Sequence, residues 1–121
     1  MLKKTITYID YDGVERTEDF YFNLTKAELT EMNMATPGGY SEKLQAIIDA
    51  KDVPELVKAF KEIVLKAYGI KTPDGKRFQK NEAITEAFTQ TEAYSELFME
   101  LVTDAEAAAA FVNGIIPKID A

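Results

Sequence analysis

Residues 5–22 read Thr5-Ile6-Thr7-Tyr8-Ile9-Asp10-Tyr11-Asp12-Gly13-Val14-Glu15-Arg16-Thr17-Glu18-Asp19-Phe20-Tyr21-Phe22, and this stretch decides the fold. β-Branched and aromatic residues, which fit a pleated, half-buried surface, crowd both arms. Asp10 at the first position of the tetrad Asp10-Tyr11-Asp12-Gly13 and glycine at the fourth suit a type I turn closed by a left-handed glycine. That three-residue loop pairs Asp10 with Val14, Tyr8 with Arg16 and Ile6 with Glu18. One face then carries Ile6, Tyr8, Val14, Phe20 and Phe22. A two-residue turn on Asp12-Gly13 would instead put Thr5, Thr7, Ile9 and Tyr11 on the face shared with Phe20, and would collect less aromatic area with Phe22. Gly13 is therefore expected at positive φ. A two-stranded hairpin is marginal alone, so its apolar face requires cover from helices or from another chain.

Downstream the period changes from two to that of a helix. Thr25-Lys26-Ala27-Glu28 is a capping box, with Leu24 before it as a hydrophobic staple, and Leu29 and Met32 share one face. Thr36-Pro37-Gly38-Gly39 ends this helix, and Ser41 is placed to cap the next, whose stripe is Leu44, Ile47 and Ile48. Asp52 caps a third, with Pro54 in its first turn, where a missing N–H costs nothing. Leu56, Val57, Phe60, Ile63, Val64, Ala67 and Tyr68 follow at helical spacing up to Gly69, the expected stop. Residues 70–80 read as a basic connector around the turn Thr72-Pro73-Asp74-Gly75. Asn81 caps a short helix with Ile84, Ala87 and Phe88, and Thr91 opens another with Tyr94, Leu97, Phe98, Leu101 and Val102. Thr103-Asp104-Ala105-Glu106 reads as a second capping box before an alanine-rich helix that Gly114 stops. The expected class is α+β, mainly α, with the hairpin packed on a bundle of about five to six short helices. One domain is expected over 1–121: hairpin 1–23, helices 25–68, connector 70–80, acidic helices 81–114 and an apolar tail 115–121.

The 121 residues contain no His and no Cys. Imidazole bases, thiol nucleophiles, disulfides and Cys- or His-ligated metals are thereby excluded. No apolar run is long enough to span a bilayer, and the start Met1-Leu2-Lys3-Lys4-Thr5 does not read as a secretion signal. The formal charge of −7 is unevenly spread. Residues 1–81 hold 13 acidic and 13 basic side chains, whereas residues 82–121 hold eight acidic ones against Lys118 alone. Phosphate backbones are repelled by such a region, so nucleic acid is not an expected partner.

Few segments carry site chemistry. Asp10-Tyr11-Asp12-Gly13 superficially matches a calcium loop, but the third oxygen ligand would fall on Val14 and the obligatory glycine on Glu15, so it reads as a turn. Asn23-Leu24-Thr25 is a glycosylation sequon with no secretion signal to present it. Gly38-Gly39 lacks the Lys-Ser/Thr of a P-loop. No metal site, cofactor or catalytic set is expected. Glu92, Glu96, Glu100 and Asp104 recur every fourth residue and so line one helix face. That face is either a solvated exterior opposite Tyr94, Leu97, Phe98 and Leu101, or a docking face for a basic partner. Ile115 and Ile116 either tuck into the core or anchor a partner. The run Ala105 to Ala110 implies close helix packing, within the domain or between subunits, so self-association stays open.

Several stretches resemble the small tail assembly chaperones of siphophages and prophages of Gram-positive bacteria. These are Gly13 to Thr25, Pro73 to Phe78, Gln90 to Leu101 and Ala109 to Pro117. The resemblance implies a non-enzymatic protein of the host bacterial cytoplasm that binds the tape-measure protein and helps recruit tail-tube subunits during virion morphogenesis. It also implies a longer, frameshifted form in many members. It carries over no residue-level roles. The rival readings are a virion structural subunit (tube, connector or decoration protein) and an acidic phage inhibitor of a host defence protein.

Overall fold

In the computed structural model, which describes residues 1–117, strands β1 (Leu2–Ile9) and β2 (Glu15–Phe22) pair antiparallel as Ile6↔Glu18 and Tyr8↔Arg16. The turn forms as its chemistry dictates. Gly13 takes φ +79° and donates its N–H to the Asp10 carbonyl, while Asp10 Oδ1 accepts from the N–H groups of Asp12 and Val14. Arg16 Nε holds the other carboxylate oxygen at 2.5 Å. Asp10 thus accepts three hydrogen bonds from donors of its own hairpin. Ile6, Tyr8 and Phe22 are buried and Phe20 is half-buried, as the register requires. Val14 departs from the expected face: it is 51% exposed, because the tip carrying Ile9, Tyr11 and Val14 projects beyond the core.

The remaining elements are α1 (Lys26–Ala35), α2 (Tyr40–Ala50), α3 (Val53–Ala67), β3 (Tyr68–Lys71), β4 (Phe78–Gln79), α4 (Glu82–Thr89), α5 (Glu92–Thr103) and α6 (Ala105–Ile115). The class is α+β, mainly α, with one antiparallel sheet in the order β1-β2-β3-β4. Caps behave largely as read. The Thr25 box is reciprocal: Thr25 Oγ1 accepts from Glu28 N–H at 3.1 Å, and Glu28 Oε1 accepts from Thr25 N–H at 2.9 Å. Asp52, Asn81 and Thr91 cap α3, α4 and α5.

Four local expectations are corrected. Ser41 does not cap α2; the N-cap is Gly39, and Asn33 Oδ1 reaches across to accept from Tyr40 and Ser41 N–H at 2.8 and 3.3 Å. The α6 cap is Asp104 rather than Thr103, accepting from Glu106 and Ala107 N–H at 3.0 and 3.2 Å. Gly114 lies inside α6, and a Cβ there would meet Leu2 Cδ1 at 3.0 Å, so it is a close-approach glycine rather than a stop. Residues 70–80 are more than a connector. Tyr68 already has extended backbone, Gly69 pairs with Tyr21, and Lys71 pairs with Phe78 across the Thr72–Gly75 turn. A Cβ on Gly69 would sit 2.7 Å from the Phe78 ring, so only glycine lets that ring lie over the strand.

The core lies between the inner sheet face and the helices. Phe22 and Phe60 are fully buried, with Ile63, Val64 and Ala67 beside them. Phe22 contacts the rings of Tyr68, Phe88 and Phe111, and Tyr68 stacks on Phe88 at 4.1 Å between centroids. Edge-on and offset pairs of this kind add to plain apolar burial. Lys80 Nζ ties the second hairpin to the end of the first, donating to the Asn23 carbonyl at 2.7 Å and to Glu28 at 2.8 Å. Burial alone would raise the Glu28 carboxyl, but the bonds from Lys80 and from Thr25 N–H outweigh it and lower it overall. Residues 118–121 of the expected apolar tail lie outside the described residues.

Candidate functional site

Helix α5 has three faces, and each meets something different. Ala93, Leu97 and Leu101 point into the core. The acidic row Glu92, Glu96 and Glu100 lies toward β1. Glu100 Oε1 pairs with Lys4 Nζ at 2.9 Å, between partly exposed side chains. At the hairpin tip the exposed Tyr11 hydroxyl is held above its ordinary range, by desolvation first and then by the charge of Glu92. Glu96 is exposed and has no hydrogen bond or ion pair among the described residues. Asp104, the fourth in the row, spends its carboxylate on capping α6. The row therefore runs beside β1, with Glu96 and Glu100 exposed to solvent.

Of the two readings open for Ile115, core or partner anchor, its burial fits the core. It is 1% exposed inside the core, and its carbonyl accepts from Leu24 N–H at 3.2 Å. Ile116 caps the helix and is half-buried against the same core. Ala108 is fully buried, so part of the alanine run packs within the fold.

The third face of α5 carries Tyr94 and Phe98, stacked with centroids 5.9 Å apart. They floor a groove of about 750 Å³ whose walls are α3, through Val57, Lys61 and Leu65, and α4, through Glu82, Thr85, Glu86 and Thr89. Val57 reads as a core position in sequence, yet it is 36% exposed at this wall. The signal for the groove was present as a second four-residue row on α3, offset from the core row of Ala59, Phe60, Ile63, Val64 and Ala67. Nothing local to α3 shows that this second row faces α4. Chemically the groove can bind, with apolar floor and walls and charged rims. Among the described residues no group of three or more carboxylates is gathered as a metal site, and no helix is long and apolar enough to cross a membrane.

Fold and surface together are those of a small α+β protein that offers clefts between helices. The chain belongs to the phage tail assembly chaperone family, whose model matches residues 1–119. No curated protein and no solved structure shows a significant match.

Proposed function

We propose that this chain is a non-enzymatic chaperone of tail morphogenesis. It binds the tape-measure protein and helps recruit tail-tube subunits in the cytoplasm of an infected Gram-positive host, where a siphophage or prophage is assembled. The observation that carries this reading is the family match along nearly the whole chain. The concentration of acidic residues after position 81 supports a basic partner surface.

Co-expression with the tape-measure protein of the same phage tests it. The expected result is a tape-measure protein that stays soluble and co-purifies with this chain, and mature virions that lack the chain by mass spectrometry. A tape-measure protein equally soluble without the chain, or stoichiometric presence of the chain in virions, would overturn the reading.

Within this function, Glu92, Glu96 and Glu100 steer the partner electrostatically. Replacing the three by Gln lowers the association rate most at low salt, since exposed charges are screened over about 8 Å at physiological ionic strength. Lys4→Met is the control for the lost Glu100 pair, and Asp104 is spared because it caps α6. Equal association rates at low salt would return the row to a solvated exterior.

A further inference from the structure

We propose that the groove between α3 and α4 seats an amphipathic helix of a tail protein, with a basic flank lying along Glu82 and Glu86; this rests on the chaperone reading above. Three helices each present residues four apart to the same space. These are Val57, Lys61 and Leu65 on α3, Glu82 and Glu86 on α4, and Tyr94 and Phe98 on α5. Rows at this spacing are the ridges between which another helix packs, at an axis separation of about 8–10 Å. Helix α5 packs against both α3 and α4, whereas α3 and α4 scarcely meet each other. The gap has the form of a missing neighbour.

Its chemistry selects the occupant. The half-buried Leu65, Tyr94 and Phe98, with the exposed Val57, call for an apolar stripe at i, i+3, i+4 and i+7. Glu82 and Glu86 form no ion pair among the described residues, so the α4 wall favours Lys or Arg on the adjoining flank. Lys61 on the opposite wall favours an acidic or polar residue there. A second copy of this chain fits poorly, because its net charge is also −7 and like acidic walls repel. A strand fits poorly too, because helices with internally satisfied backbones line the groove and offer no open edge.

The test uses overlapping peptides of about 20 residues, which span about 30 Å as helix, drawn from the tape-measure and tail-tube proteins of the same phage. Binding to the full chain is measured by titration calorimetry. We expect at least one helix-forming basic peptide to bind. Thr85→Trp, which fills the groove, and the exposed pair Glu82→Lys with Glu86→Lys should each weaken it by about tenfold or more. Exchanging Lys for Glu on the peptide flank should restore binding to the charge-reversed chain. The charge pair stands as the test if Thr85→Trp fails to fold, as circular dichroism would show. Peptide binding that survives both variants would overturn the groove while leaving the chaperone reading intact. A wild-type chain that binds neither the peptides nor either intact tail protein would overturn both. A dimer in sedimentation that Thr85→Trp converts to monomer would assign the groove to a second copy and overturn the helix of a tail protein.

Discussion

The two hairpins of this protein each close on an aspartate carboxylate and a left-handed glycine and differ in almost everything else. At Asp10–Gly13 a carboxylate accepts two backbone N–H groups and a glycine sits at φ +79°. At Thr72–Gly75 the Asp74 carboxylate accepts from the Thr72 hydroxyl at 2.6 Å and Lys76 N–H at 3.0 Å, and the glycine sits at φ +74°. The first turn joins two strands of eight residues, whereas β3 has four residues and β4 two. The alternation of β1 and the β-branched and aromatic residues of both arms declare strands. Two to four residues declare nothing, and they pair only because β2 offers Tyr21 and Phe22 as a template and Gly69 admits the Phe78 ring. A turn legible in sequence therefore predicts a reversal of the chain, not a sheet.

Substitutions can break this comparison at graded cost. The largest effect belongs to Phe22→Ala on the long hairpin. Phe22 is fully buried among Tyr68, Phe88 and Phe111, and losing a core phenylalanine costs about 3–5 kcal/mol. Urea unfolding should show it, and a loss below about 1 kcal/mol would mean that the first hairpin is not what anchors the sheet. Gly69→Ala comes next. Its Cβ would meet the Phe78 ring at 2.7 Å and the Gln79 carbonyl oxygen at 2.9 Å, and the backbone oxygen cannot rotate away. Overpacking of this kind costs about 1–3 kcal/mol. Phe78→Ala in the same chain should recover part of the loss, and additive losses would remove the ring from the explanation.

Gly13→Ala and Gly75→Ala are smaller and should match. Neither site has an atom within 4 Å of an added Cβ, so only the left-handed backbone resists, at about 1 kcal/mol each. Unequal losses would show that strand length feeds back on the turn. The smallest effect is on titration. The Arg16 hydrogen bond, then Val14 N–H, holds the Asp10 carboxyl below its ordinary range; the Thr72 hydroxyl, then Lys76 N–H, does the same for Asp74. A lowered folded value means stability that is present above the ordinary carboxylate pKa and lost as pH falls through the lowered one. Carboxyl NMR should place both Asp10 and Asp74 below the ordinary aspartate range. An ordinary value at either turn would break the parallel.

The acidic row shows a different limit of legibility. Spacing put Glu92, Glu96, Glu100 and Asp104 on one face, but spacing does not reveal a neighbour. Lys4, 96 positions from Glu100, is brought beside it only by the packing of α5 on β1. Thr103 and Asp104 are both competent caps in sequence, and only the geometry between α5 and α6 chooses Asp104. Sequence leaves Ile115 open between core and partner anchor. It is core because α6 runs through Gly114, where Leu2 packs against the missing Cβ.

Residue order alone settles what depends on groups a few residues apart: the first turn and its register, the reciprocal box at Thr25, the caps at Asp52, Asn81 and Thr91, and the row Phe60, Ile63, Val64 and Ala67 of α3. Their hydrogen bonds and periodicities close within one turn or one hairpin, so local residue order is sufficient. Tertiary structure alone decided the pairing of β3 with β2, the glycine contacts at 69 and 114, the Lys80 bridge to Asn23 and Glu28, and the groove over Tyr94 and Phe98. Each depends on surfaces distant in sequence meeting in space, and residue order does not encode that meeting until the core has chosen which faces to bury.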